Sequence, residues 1–137
     1  MTQHHPLADL RSALLTFALT LPEAYLDHPW GEDVVKVNKK IFVFLGSDDP
    51  QYGGLLGVKL PLSAAGVLMH DFAEPSGYGL GKSGWVSIRH DRGELPPVEV
   101  MQDWVEESYR AVAPKGLVKR LVAQADGSPS TEASPTA

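Results

Sequence analysis

The alternation of hydrophobic and polar residues between positions 33 and 60 is the strongest pattern in this chain. Val35 and Val37 alternate with polar residues, and a turn follows at residues 38–40. Ile41, Val43 and Leu45 then alternate with Phe42 and Phe44, and residues 55–60 repeat the pattern. A period of two is typical of strands whose two faces have different surroundings. The pattern therefore predicts three consecutive antiparallel strands.

Two other segments have the helical period instead. Residues 6–21 and residues 98–112 each place apolar side chains on one stripe, and Pro22 ends the first of these segments. The predicted stripes are Leu7, Leu10, Leu14, Phe17 and Leu21 in the first helix, and Met101, Trp104, Val105, Ser108 and Val112 in the second. Both segments are predicted to be core helices.

The shorter elements complete the prediction of the fold. Tyr25 and Leu26 favour a short edge strand, and residues 85–90 alternate as a further main strand. Ser63 is predicted to cap a short helix that ends near His70, and residues 117–122 form a last amphipathic turn or two. The sequence predicts an α+β fold with an antiparallel sheet of about five strands. The N- and C-terminal helices are expected on one face of this sheet, as a two-layer sandwich.

Composition restricts the class of protein further. The chain has 137 residues, of which 43% are hydrophobic, and it has no cysteine. This predicts a single domain over residues 1–122, followed by a disordered Ser/Pro/Thr-rich tail over residues 123–137. Disulfides and thiolate metal sites are excluded, and no segment has the apolar length of a signal peptide or a membrane span. We therefore expect a cytoplasmic protein, with no membrane partner and most simply a monomer.

Two motifs that resemble known sites lack the necessary context. The glycines at positions 79, 81 and 84 match a dinucleotide-binding fingerprint, but a strand rather than a helix follows them. Histidine lies beside aspartate at residues 27–28, 70–71 and 90–91, and sequence neighbours do not point to the same side of a strand or helix. No serine lies in a nucleophile elbow. We predict no catalytic residue, no metal site and no cofactor.

Basic residues suggest a different kind of site, although the net charge is −5. When helices cover one face of a sheet, the alternate residues of each strand point to the other face and are exposed. Lysines in the hairpin ends and loops lie at the ends of this sheet. The candidate nucleic-acid-binding residues are Lys36, Lys39, Lys40, Lys59, Lys82, Trp85, Arg89 and Arg92, with Phe42 and Phe44 as further aromatic candidates on the open face. Cations neutralise phosphates and aromatic rings stack on bases. The alternative is that these are solvated surface lysines and arginines with no partner.

Six segments together carry a resemblance to a known family. They are Leu21-Pro22-Glu23, Pro29-Trp30-Gly31, Lys36-Val37-Asn38-Lys39-Lys40-Ile41-Phe42, Gly57-Val58-Lys59-Leu60, Gly84-Trp85-Val86-Ser87-Ile88 and Val105-Glu106-Glu107-Ser108-Tyr109. In order and spacing the segments resemble the MmcQ/YjbR family of small bacterial proteins, over about residues 7–112. The resemblance implies a frataxin/CyaY-like fold and a double-wing mode of DNA binding. In the loop before the tryptophan, the residues that match the family are Lys82 and Trp85.

Three functions follow as hypotheses. The first is a non-enzymatic DNA-binding protein, weak and sequence-tolerant, whose basic hairpin and loop act as wings. The second is an adaptor that binds a protein or a small ligand without catalysis, and the third is an enzyme of unrecognised type. Iron binding of the frataxin kind is disfavoured, because Asp9 is the only acidic residue of the first predicted helix.

Overall fold

Four α-helices and six β-strands build the fold, and the computed structural model describes residues 7–28, 33–45, 54–76, 80–89 and 94–125. The helices are α1 Leu7–Leu19, α2 Ala64–Val67, α3 Val98–Val112 and α4 Lys115–Ala125. The strands are β1 Tyr25–Asp27, β2 Val34–Val37, β3 Lys40–Phe44, β4 Gly54–Lys59, β5 Ala73–Pro75 and β6 Trp85–Arg89. A 3₁₀ helix, Leu80–Ser83, precedes β6.

The six strands form one antiparallel sheet in the order β1-β2-β3-β4-β6-β5. The α+β class, with helices packed on an antiparallel sheet, is confirmed. The prediction of about five strands missed β5, which pairs with β6 at one edge of the sheet. Its sequence, Ala-Glu-Pro, has neither β-branched nor aromatic residues, so nothing local indicated a strand.

Pairing across the sheet defines its two faces. Val43 lies opposite Val35 on one side and Val58 on the other, and Val58 lies opposite Val86. Directly opposed residues of antiparallel strands share a face, so these four valines form a row on one side of the sheet. All four are fully buried in the core cluster, which identifies their side as the one that the helices cover.

Helices α1 and α3 cover this face and pack against each other. Leu14 and Ala18 of α1 are fully buried, as are Met101 and Val105 of α3. The bounds predicted for α3 are confirmed, but the predicted stripe needs one correction. Tyr109, which lies outside the predicted stripe, is fully buried, whereas Trp104 is half-buried.

Phe42 lies on the helix side of the sheet, and its assignment to the open face was wrong. Val35 pairs with Val43 and the next residue, Lys36, pairs with Ile41, so β3 carries one residue more than β2 at Phe42. This β-bulge shifts the alternation by one position. Phe42 is fully buried, and its ring meets the ring of Tyr109 edge to face with centroids 5.2 Å apart.

The termini and the short helix α2 differ in detail from expectation. Helix α4 begins at Lys115 and ends at Ala125, beyond the turn or two predicted, and residues 126–137 lie outside the described part of the chain. Ser63 precedes α2, but its side chain does not cap that helix. No helix in the described ranges is long and apolar enough to cross a membrane.

Candidate nucleic-acid interface

Four of the candidate residues share the face of the sheet that lies opposite the helices. Lys36 follows the helix-facing Val35, and Lys59 follows the helix-facing Val58, so both side chains point to the other side. Lys59 pairs directly with Trp85, and Arg89 lies on the same parity of β6. Lys36, Lys59 and Arg89 are half-buried there.

Lys39 and Lys40 lie at the tip of the β2–β3 hairpin and are exposed. The hairpin closes through Asn38 and Lys39, which have φ values of 52° and 68° and lie between the paired residues Val37 and Lys40. Two central residues with positive φ are the signature of a type I′ turn, in which glycine is strongly favoured at the second position. The turn thus holds a lysine in a backbone conformation that costs a side-chain-bearing residue about 1–2 kcal/mol.

Strand direction brings the hairpin tip close to other lysines. Strand β3 starts at the tip, β4 runs towards that end and finishes at Lys59, and β6 starts there at Trp85. Lys82 lies in the 3₁₀ helix just before β6 and is exposed. Two strand spacings, about 10 Å, separate β3 from β6, so the four lysines lie at the same end of the sheet. Lys40 pairs with the helix-facing Val37, whereas Lys59 points to the opposite face. We call Lys39, Lys40, Lys59 and Lys82 the lysine end of the sheet.

Arg89 does not belong to this group. It is the last residue of β6, four positions after Trp85, which places it about 14 Å along the strand from the lysine end. Its guanidinium lies 3.4 Å from a carboxylate oxygen of Glu74. The remaining candidate, Arg92, lies outside the described residues.

Lys36 is also held by a carboxylate. Its Nζ lies 2.7 Å from Asp27 Oδ2 on the neighbouring edge strand. The hydrogen bond from Lys36 is the main reason that the pKa of Asp27 is lowered from its usual 3.8, and a backbone hydrogen bond from His28 adds to the effect. The same pair raises the pKa of Lys36 above 10.5. By contrast, none of the four side chains of the lysine end forms an ion pair with a carboxylate in the described part of the chain.

The aromatic candidates differ from the lysines in their exposure. Only 9% of Trp85 is exposed, and its ring meets that of Phe44 edge to face with centroids 5.4 Å apart. Gly57 lies opposite Phe44, and a Cβ on Gly57 would come within 3.3 Å of the Cβ of Phe44. The glycine therefore leaves room for Phe44 against the sheet. Since a base needs an open ring face for stacking, this pair offers little platform in this conformation.

Sequence reasoning missed the acidic partners of the candidate cations. Asp27 and Glu74 lie on the two edge strands, β1 and β5, and each pairs with one predicted binding residue. The pairing depends on strand register, which residue types alone do not reveal. Two of the histidines that lie beside aspartate have other contacts: His28 Nδ1 lies 2.7 Å from Asp33 Oδ1, and His70 stacks on Phe72. Within the described ranges no group of three His, Asp or Glu residues is placed to hold a metal ion.

Comparison with known proteins gives one finding on ancestry. The model of the YjbR family matches residues 19–111, which extends from the end of α1 almost to the end of α3 and includes the whole sheet. The match therefore covers the β2–β3 hairpin, the 3₁₀ helix and the strands next to them, which together carry all four residues of the lysine end. No curated protein matches the chain.

Proposed function

The chain belongs to the YjbR family, and we propose that it is a non-enzymatic DNA-binding protein that acts as a monomer in the cytoplasm. The observation that carries this proposal is the presence of four lysines at one end of the sheet, none of which forms an ion pair with a described carboxylate. The lysines that project from the hairpin and from the 3₁₀ helix form two wings, with Lys59 between them. The proposal includes a CyaY-like fold in which these two wings contact DNA.

The dimensions of the lysine end suit a phosphate backbone. Duplex DNA carries one negative charge per about 1.7 Å of its axis, so cations distributed along one end of the sheet face several phosphates. Lysine acts as a point charge on a flexible stem and does not need the planar geometry that arginine requires for paired contacts. Contacts of this kind fix the protein on the backbone without reading bases.

Binding is therefore expected to be weak and tolerant of sequence. The net charge of −5 opposes long-range attraction to DNA, and Lys36 and Arg89 already have carboxylate partners. Trp85 is too buried to add much stacking energy. Affinity then depends on a few phosphate contacts and falls steeply with salt.

Fluorescence anisotropy with labelled duplex and single-stranded oligonucleotides at a series of salt concentrations tests the proposal. The variant Lys39→Ala, Lys40→Ala, Lys82→Ala removes three exposed charges from the two wings. On duplex DNA the slope of log affinity against log salt should decrease by about 0.9 for each phosphate that the variant no longer neutralises. The unfolding temperature of the variant should remain close to that of the wild type, since exposed positions contribute little to stability.

The matched control removes three exposed charges from α4 instead. The variant Lys115→Ala, Lys119→Ala, Arg120→Ala changes the net charge by the same amount but leaves the lysine end intact. Its slope should equal that of the wild type. If the slope decreases equally in both variants, only net charge matters and the wings have no special role. If the wild type binds neither form of DNA at low salt, the adaptor function replaces the DNA-binding function.

A further inference from the structure

An open groove lies on the helix side of the molecule, next to the end of β4 at which Lys59 lies. Pro61 and Leu62, which follow β4, form one wall, and the outer side of α3 with Ala111 forms the other. The groove has a volume of about 450 Å³. Leu62 stands at its rim with 87% of its surface exposed, and Pro61 is also exposed. An apolar wall is thus open to solvent beside a helix.

Glu107 holds the backbone at the exposed leucine. The carboxylate of Glu107 accepts hydrogen bonds from the backbone N–H groups of Leu62 and Ser63, at 2.8 and 3.0 Å. The hydroxyl of Ser63 donates a third hydrogen bond to the other carboxylate oxygen, at 2.6 Å. Three bonds to one side chain fix the backbone that presents Leu62. The backbone that carries this apolar side chain is therefore fixed before any partner arrives, which reduces the entropy cost of binding.

The helical wall of the groove is acidic. Asp103, Glu106 and Glu107 line it, against one cation, Arg110. Arg110 already donates two hydrogen bonds to Glu106, at 3.1 and 2.9 Å, and Glu107 is engaged with the loop. Asp103 is exposed, and no hydrogen bond or ion pair joins its carboxylate to another described residue. The groove combines an apolar rim with a carboxylate that is open to a cation.

We propose that this groove binds a short segment of a partner protein in which an aliphatic side chain is flanked by lysine or arginine. The aliphatic side chain packs on Pro61 and Leu62, and the cation pairs with Asp103. Apolar anchors supply most of the affinity in such contacts, while complementary charge selects the partner. The acidic wall disfavours nucleic acid and anionic lipid, so the groove differs in charge from the neighbouring lysine end.

Titration of the isotope-labelled protein with synthetic peptides, followed by NMR, tests this proposal. The probe is a short peptide of alternating leucine and lysine, and two counterparts carry glutamate for lysine or serine for leucine. Saturable shifts at Leu62, Asp103 and Ala111 are expected with the leucine-lysine peptide alone. Leu62→Ser should weaken that binding about tenfold, as removal of a buried aliphatic side chain implies, and Asp103→Lys should weaken it severalfold.

Each variant has a matched control elsewhere on the surface. Met69→Ser removes another exposed apolar side chain, 84% of which is accessible, and Asp9→Lys reverses another exposed acid on α1. Both should bind the leucine-lysine peptide as the wild type does. The proposal is overturned if no peptide binds saturably, if either counterpart peptide binds equally well, or if Leu62→Ser and Met69→Ser behave alike. Because DNA binding does not involve Leu62, its variant should keep the salt dependence of the wild type.

Discussion

The side-chain hydroxyl of Ser108 donates a hydrogen bond to the backbone carbonyl of Phe42, the extra residue of the β3 bulge. The same oxygen accepts a hydrogen bond from the backbone N–H of Lys59, at 2.8 Å. The regular pairing between β3 and β4 includes Val43 with Val58, and the next pair along would be Phe42 with Lys59. Ser108 therefore bridges two backbone groups at the point where the bulge disturbs the ladder. This bridge connects α3 to β4, whose last residue, Lys59, belongs to the lysine end.

Replacement of Ser108 by alanine should destabilise the protein by about 2–3 kcal/mol. The hydroxyl is fully buried, and its removal leaves a carbonyl and an N–H without their partner, each at a cost of about 1–3 kcal/mol less any relaxation. Urea unfolding measures the difference. Ser12→Ala is the matched control, because Ser12 is exposed on α1 and its replacement tests helix propensity alone. Equal stability of the two variants would show that the bridge contributes nothing.

Tyr109→Phe should cost about 1–2 kcal/mol, because the buried hydroxyl donates to the carbonyl of Pro22 at 2.7 Å. Burial also raises the pKa of Tyr109 above its usual 10.0. The contribution of this group to stability is complete below pH 10.0 and is lost as pH rises through the folded-state pKa. The difference in stability between wild type and variant should therefore shrink at alkaline pH. Tyr25→Phe, at an exposed tyrosine, should change stability by less than about 0.5 kcal/mol.

The Asp27–Lys36 pair predicts a dependence on acid pH. Because the folded-state pKa of Asp27 is lowered from 3.8, its contribution is present above that value and is lost as pH falls through the folded pKa. Lys36→Met should bring the pKa of Asp27 back towards 3.8, as measured by NMR titration of its carboxyl carbon. Lys59→Met, on the same face but outside this pair, should leave that pKa unchanged. An unchanged Asp27 pKa in Lys36→Met would show that the ion pair does not persist in solution.

Elements whose pattern is local were predictable from the sequence. The apolar stripe of residues 98–112 fixed α3 with the bounds that the structure has, and alternation located β2, β3, β4 and β6 to within a residue or two. These segments repeat one period over their whole length, and burial of one face follows from it. The exposure of the lysines of the hairpin and of the 3₁₀ helix before β6 was predictable for the same reason, since turns between periodic segments are exposed.

Features that depend on distant partners were not predictable. The bulge that turns Phe42 inward arises from the pairing of β3 with β2, and the three-residue strand β5 exists because β6 offers it an edge. Glu107 binds the backbone of Leu62, 45 residues away in sequence. The acidic partners that hold Lys36 and Arg89 lie on other strands. Such interactions depend on strand register and tertiary packing, which the local pattern of residues does not reveal.

The hairpin turn allows charge and backbone strain at Lys39 to be separated. Lys39→Gly relieves the positive φ of 68° and should stabilise the protein by about 0.5–1 kcal/mol, after the greater flexibility of glycine in the unfolded chain is counted. Lys39→Ala keeps a side chain in the same conformation and should change stability by less than about 0.5 kcal/mol. Lys40→Gly, at the first residue of β3, should instead destabilise by about 0.5–1 kcal/mol. Thermal and urea unfolding rank the three variants.

Under the DNA-binding proposal, Lys39→Gly and Lys39→Ala have the same effect on binding, because both remove the same charge from the wing. Each should lower the slope of log affinity against log salt by at most about 0.9, although their stabilities differ. The comparison excludes stability as the cause of any change in affinity. If Lys39→Gly bound DNA as the wild type does and Lys39→Ala did not, turn geometry rather than the ammonium group would govern binding. If neither variant altered the slope, Lys39 would not contact phosphate. The presence of a lysine in a turn that favours glycine would then need another explanation.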